Sequence, residues 1–295
     1  MKSRFMKFRL ASAIVFFAAV LLAPNLHSAC KFSILFVNEF KGAFKPSSNL
    51  GGAKELAGII NKIRVKNDKE GRDTVLFFVG GVMSDNASTF RGHEVEYMNL
   101  LGVQAAVLGG SDFAEGASAI KKVLKDAKFE VLAANVLDKG GERLFITPSY
   151  VMPITEYCKL GIVGVTSQKS GGSAGLTFEN PVEYAKDYMD ELVEQSDMQI
   201  ALAYVPSGNA RAIATGASGV DLVLSGGNNV SAPGACETVG KAVVCEAPPY
   251  GSYIGRVDVD IDSGVKIVNE EFIPVKGGTM WTPKPIKEWL KGLGI

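Results

Sequence analysis

Short runs of β-branched and aromatic apolar residues alternate along the chain with stretches whose apolar positions recur every three or four residues. The runs at 32–37, 74–79, 104–108, 130–133, 160–165, 199–204 and 221–224 read as buried strands. Between them, "GGAKELAGIINKIRVK", "RGHEVEYMNLLG", "GASAIKKVLKDAK" and "NPVEYAKDYMDELVEQS" carry helical spacing, with Pro181 where a helix can begin. This alternation predicts an α/β fold with largely parallel strands. After residue 240 the pattern changes: "KAVVCEAP", "SYIGRVDVDID" and "VKIVNEEFIPV" predict antiparallel strands, with a turn at Asp262-Ser263-Gly264. The tail "PKPIKEWLKGL" reads as a short closing helix or, alternatively, a frayed terminus. With no low-complexity linker and no fixed-period repeat, residues 30–295 are expected to form one domain.

Residues 1–29 stand outside that pattern. Lys2, Arg4, Lys7 and Arg9 precede the apolar run "ASAIVFFAAVLLA", which is followed by Pro24 and the small residues Ser28 and Ala29. This layout is that of a secretory signal peptide, and the run is short of the roughly 20 residues that span a bilayer. The expectation is export to a periplasmic or extracellular location, with no transmembrane span after cleavage. Lipid anchoring at Cys30 is the alternative. Against it, Leu26 lies four residues before the cysteine and His27 takes the place three before.

The charge balance changes once this stretch is set aside. Its four basic residues take the Lys and Arg count from 31 to 27, against 31 Asp and Glu, a net of minus four. Such a balance predicts no nucleic-acid partner. His93 becomes the single histidine, which excludes most hydrolytic triads and His-rich zinc or dinuclear metal sites. In "RGHEVEYMNLL" it belongs to the first turn of a helix, a solvated position rather than that of a catalytic base.

Cysteine usage agrees with an oxidising compartment. Cys30, Cys158, Cys236 and Cys245 are four in number. In "CETVGKAVVC", Cys236 and Cys245 flank a hairpin turning near Val239-Gly240-Lys241, so a disulfide between them is expected. "CKFSILFV" and "CKLGIVGV" each set a cysteine before a buried strand. If those strands run in parallel, side by side or face to face, Cys30 and Cys158 meet at one edge; the alternative is two free thiols.

The order of segments, in "VNEFKG", "FVGGVMSDN", "VLGGSDFAEG", "ALAYVPSG" and "LVLSGGNNV", resembles the catalytic domain of the 5'-nucleotidase-type (calcineurin-like) metallophosphoesterases. The stretches "GGAKELAGIINKIR", "VLAANVLDKGG", "KLGIVGVTS" and "PYGSYIGRVDVDID" are similar as well. The resemblance implies a four-layer αββα sandwich of two mixed sheets. It also implies that the family's C-terminal nucleotide-recognition domain has no counterpart here.

Carried over residue by residue, the resemblance puts Glu39 and Lys41 where the family's first motif has aspartate and histidine, and Gly81 where a bridging aspartate stands. Gly110, Ser111 and Asp112 replace an asparagine ligand, a phosphoryl-stabilising histidine and a glutamate. Tyr204, Asn228 and Val230 replace three histidines. A two-metal phosphoesterase holds its ions about 3.5–4 Å apart with a bridging carboxylate and several ligands. Glycine and valine side chains supply none, so neither a metal nor a catalytic residue is expected. The alternative is one divalent ion near Glu39, held by Glu39, Asp85, Asp112 and Asn228. Lys41 argues against it, because an ammonium aimed into that pocket pairs with Glu39, and with Asp112 if it is near, and repels a cation.

Other readings carry less. "VGG", "LGGSD" and "LSGGNN" are either phosphate cradles or plain strand-to-helix turns, and turns need glycine without any ligand. Glu39 with Asp112 would form a glycosidase-like carboxylate pair only at a separation the sequence does not give. Met83, Phe113 and Tyr204 are expected to line or plug the cavity at the strand ends. The Ser/Gly stretch "SQKSGGSAGLTF" is a mobile rim loop or a recognition loop. Two functions remain: an exported, non-catalytic scaffold binding an unknown protein or small molecule, or a phosphoester hydrolase with a rebuilt, mononuclear site.

Overall fold

A computed structural model describes residues 30–47, 50–83, 92–144, 147–167, 175–228, 230–278 and 281–295. The leader-like stretch, Asp85 and most of the Ser/Gly rim loop lie outside the described residues.

The chain begins with β1 (Cys30–Asn38), followed by α1 (Ala53–Lys69), β2 (Asp73–Val79), α2 (His93–Leu101) and β3 (Ala105–Val107). A single 3-10 turn at Gly110–Phe113, α3 (Ala117–Leu124), β4 (Glu130–Leu132), β5 (Val136–Asp138), β6 (Ser149–Thr155) and β7 (Cys158–Thr166) come next. Then follow β8 (Leu176–Phe178), α4 (Pro181–Leu192), β9 (Met198–Tyr204), α5 (Ser207–Gly216) and β10 (Val220–Gly226). The chain closes with β11 (Ala235–Val239), β12 (Ala242–Glu246), β13 (Tyr253–Ile261), β14 (Val265–Pro274) and α6 (Lys284–Gly292).

Two six-stranded mixed sheets result, ordered β14-β13-β1-β2-β3-β4 and β11-β12-β10-β9-β7-β6, with β5 and β8 forming a small separate ribbon. Strand β1 shows why the central strands read as continuous apolar runs. Phe32, Ile34 and Phe36 point into the core between the sheets, while Leu35 and Val37 pack beneath the helices. Helices α1, α2, α3 and α6 cover the first sheet, and α4 and α5 the second, giving the expected four layers.

One expectation needs correction. Strand β12 pairs in parallel with β10 and antiparallel only with β11, so the antiparallel pattern after residue 240 is confined to the β11–β12 and β13–β14 hairpins and the β1–β13 pair. Residues 207–216, which carry no clear amphipathic signal, form helix α5 on the second sheet.

Both disulfides form. Cys236 faces Cys245 across the β11–β12 ladder. Cys30 and Cys158, at the first residues of β1 and β7, join the two sheets face to face. Among the described residues no helix is long and apolar enough to cross a membrane.

Candidate functional site

The carboxyl ends of β1, β2, β3, β9 and β10 converge, and side chains tie them together. Asn38, the last residue of β1, donates through Nδ2 to the carbonyls of Ser225 (2.7 Å) and Ala247 (2.9 Å), so it pins one sheet to the other. Its Oδ1 is buried without a hydrogen-bond partner. Beyond it the chain doubles back on itself: Glu39 N–H donates to Val79 O and Lys41 N–H to Gly81 O, while Tyr250 N–H and Gly251 N–H donate to Glu39 O and Asn38 O.

This turn carries unusual backbone. Among the described residues the non-glycine positions with positive φ are Glu39 (+44°), Lys41 (+47°) and Tyr250 (+63°), all in this one cluster. Left-handed backbone is costly for residues with a Cβ and collects where surrounding contacts over-determine it. Those contacts are visible. Lys41 Nζ lies 2.7 Å from Glu39 Oε2, with side-chain exposures of 14% and 4%. The ammonium also sits 5.1 Å from the centre of the Tyr250 ring, within cation–π range. Tyr204 O–H reaches toward the same Glu39 oxygen at 3.5 Å, a weak bond by length.

Tyr204 fills the middle of the convergence. Its ring lies on a floor of glycines: a β-carbon at Gly80 would collide with it, and one at Gly109 or Gly227 would press within 3.1–3.3 Å. Gly81 adopts φ +52°, and a β-carbon there would come within 3.2 Å of Glu39. Glycine at 80 and 81 is therefore required by a left-handed turn and by the close approach of Tyr204 and Glu39.

The other positions singled out in the sequence are engaged in structure. Gly110 and Ser111 open the 3-10 turn, and Ser111 Oγ is buried without a partner. Asp112 accepts backbone N–H bonds from Val82 (3.0 Å), Met83 (2.8 Å) and Gly109 (2.8 Å), tying the end of β2 to the end of β3. Asn228 donates to Val205 O (3.1 Å) and Glu246 Oε1 (2.9 Å) and accepts from Ser207 N–H (3.2 Å). Val230 is half-buried in the loop after β10. Met83 and Phe113 lie in the core beneath the helices, and Tyr204 in the core between the sheets, so the three are not one lining. His93 is the first residue of α2, half-exposed and 3.2 Å from Glu96, away from the strand ends.

Four residues of the cluster escaped sequence reasoning. Tyr250 roofs Lys41, and Glu246 gathers Ser207 Oγ, Ser225 Oγ and Asn228 on one carboxylate oxygen. For Tyr250 the available signal was "PPYG", which suits a turn with a left-handed residue; Glu246 and Ser207 carried none.

The donor set fits a divalent ion poorly. Glu39 is already neutralised by a bonded ammonium, Asn228 is bonded on both sides of its amide, and Gly81, Gly110 and Val230 offer no side-chain donor. Among the described residues no three His, Cys, Asp or Glu side chains converge to hold a metal ion.

Solved structures share this architecture. The calcineurin-like phosphoesterase YfkN of Bacillus subtilis superposes with a TM-score of 0.75 at 20% identity, over 90% of this chain and 97% of that one. The chain has the calcineurin-like metallophosphoesterase fold. In sequence it is similar to the uncharacterized metallophosphoesterase YunD of Bacillus subtilis, 23% identical over 237 residues, covering 77% of this chain and 51% of that protein. It is similar also to the 5'-nucleotidase of Vibrio cholerae, 26% identical over 294 residues, covering 83% and 52%. The chain thus spans about half the length of the curated relatives it matches. No family model matches it.

Proposed function

We propose that the protein is an exported scaffold of the metallophosphoesterase fold that works without metal catalysis, as a binding or interaction module. One observation carries this reading: the place that the sequence resemblance assigns to the family's metal ligands is taken by a Lys41–Glu39 ion pair and the Tyr204 ring. An ammonium within 3 Å of the carboxylate supplies the positive charge that a metal would, and keeps a second cation away. Two disulfides and the leader-like segment support export. The second reading, a phosphoester hydrolase with a mononuclear site at Glu39, rests on the names of the relatives and needs Glu39 to leave Lys41.

Elemental analysis of the purified protein, with phosphatase assays on p-nitrophenyl phosphate and AMP in added Mn²⁺, Zn²⁺ or Mg²⁺, separates the two. The expected result is metal well below one ion per chain and no turnover above background. Stoichiometric metal, with turnover abolished by Glu39→Ala, would establish the hydrolase instead. Affinity capture from the exported fraction then identifies the partner.

A further inference from the structure

On the face covered by α6, far in sequence from the strand-end cluster, basic side chains gather around an exposed indole. Lys284, Lys287 and Lys291 recur at i, i+3 and i+7, which puts them along one side of α6 over about 10 Å. An adjoining side of the helix is anchored, with Ile286 and Leu290 buried in the core beneath the helices. Lys54, from the first turn of α1, joins the three, since Thr282 Oγ1 donates to the Lys54 carbonyl at 3.3 Å. Together with Trp281, Thr282 and Glu288 these lysines line an open groove of about 620 Å³. Four ammonium groups face one carboxylate, Glu288, itself 3.7 Å from Lys284.

The two tryptophans are used differently. Trp289 stacks on Tyr97 with centroids 5.9 Å apart, meets Phe44 at 5.8 Å and donates Nε1–H to Glu96. Trp281 is 68% exposed, beside the lysines. A half-buried, stacked indole explains itself by packing, whereas an exposed one bordered by lysine ammoniums has the amphipathic chemistry of a membrane-interface residue.

We propose that this face docks on a phospholipid surface carrying anionic headgroups, the lysines meeting lipid phosphates and Trp281 entering the headgroup layer. The shape favours a surface over a small anion. The lysines stand outward from one helix side, with Lys284 84% exposed, so no walls enclose a single phosphate. The charge is local, because residues 30–295 carry more acidic than basic side chains. Attraction to anionic lipid therefore belongs to this face and fixes how the protein lies, with α6 along the membrane plane.

The test is binding of the purified protein to vesicles of phosphatidylglycerol and phosphatidylethanolamine, with phosphatidylcholine vesicles as the zwitterionic control. Co-sedimentation and tryptophan emission are both read. Expected are salt-sensitive binding to the anionic vesicles only and a blue shift of emission that Trp281→Ala removes. Lys284→Glu/Lys287→Glu/Lys291→Glu should lower the partition at least about tenfold, with circular dichroism and Tm unchanged. Should that variant fail to fold, Lys287→Gln/Lys291→Gln tests the same face with a smaller expected loss. The variants differ from the parent at the patch alone, so any contribution of residues 1–29 cancels. Equal binding to both vesicle types, undiminished binding by the lysine variants, or binding of soluble polyphosphate without binding of anionic vesicles would overturn the proposal.

Discussion

Lys41 Nζ lies 2.7 Å from Glu39 Oε2, and the two residues hold this contact on left-handed backbone, two positions apart in one turn. Such a pair is over-determined. Main-chain bonds to Val79, Gly81 and Tyr250 fix the turn, and the turn fixes the ions. Removing Lys41 alone should leave a nearly buried carboxylate without its ammonium, at about 3–5 kcal/mol. We expect Lys41→Met to lose about that much in urea unfolding, and Glu39→Gln/Lys41→Met to lose clearly less. Equal losses would mean that the ion pair does not couple the two residues.

Tyr204 and its glycine floor make a second, reciprocal prediction. Tyr204→Ala should leave a cavity between the sheets and cost about 3–5 kcal/mol. Gly80→Ala should also destabilise, because its φ is +67° and its new methyl meets the ring. In the double variant the ring clash disappears while the backbone strain remains, so the two losses should add to less than their sum. Full additivity in thermal unfolding would contradict the seating of the ring.

Introducing at position 81 the aspartate that the sequence resemblance places there should not create metal binding. Gly81→Asp puts a β-carbon 3.2 Å from Glu39 on left-handed backbone, and Lys41 still holds Glu39. The expected result in titration calorimetry with Mn²⁺ is no stoichiometric binding, together with a lowered Tm. Tight binding by Gly81→Asp would show that the pair yields readily.

Asp112 is expected to be structural. Its carboxylate accepts three backbone N–H groups, and an asparagine amide in its place turns an NH₂ toward donors. Asp112→Asn should cost about 2–3 kcal/mol and loosen amide exchange at Gly109, Val82 and Met83 in particular. Loss confined to amides elsewhere would place its role elsewhere.

Among the described residues one partly buried carboxyl departs from its ordinary value. Burial pushes the Asp221 carboxyl above its ordinary value, partly offset by the bond it accepts from Gln199 N–H. A raised carboxyl pKa means that the folded state binds the proton more tightly. Stability from this group is therefore fullest in acid and declines as pH rises from about 3.8 through the folded pKa. Asp221→Asn should flatten that part of the stability–pH curve and leave the variant at least as stable as the parent at neutral pH. A variant that loses stability more steeply than the parent over that window would contradict the assignment.

How much of this was legible in the sequence follows from what each segment does. The seven apolar runs became strands where expected, and the longest of them, β1, β2, β7, β9 and β10, read clearly because a strand covered on both faces writes a continuous signal. Strand β6 stayed hidden because Pro153 breaks the usual strand composition; it is an edge strand, where proline is tolerated. Strands β5 and β8 are three residues each and mostly half-buried or exposed, so unlike β3 they write no continuous apolar run. Helix α5 was missed because "SGNARAIATG" mixes glycine with small residues. The direction of β12 depends on β10, a neighbour that alternation cannot reveal. At the site, motif positions pointed to Glu39, Lys41 and Tyr204, which the fold brings into contact. Tyr250 and Glu246 arrive from distant sequence and belong to ordinary residue types, so only folding brings them there.

The strand order also constrains the timetable of synthesis. Strand β1 is among the first described residues to leave the ribosome, yet one of its two ladders is made with β13, more than two hundred residues later. Every strand of the second sheet lies between them in sequence, as does the cysteine that Cys30 must find. The nascent chain thus carries an open, apolar β1 edge until β13 is made, and closes the first sheet around a second sheet already complete in sequence. Until β13 is made, the β2 ladder alone holds β1 within its sheet.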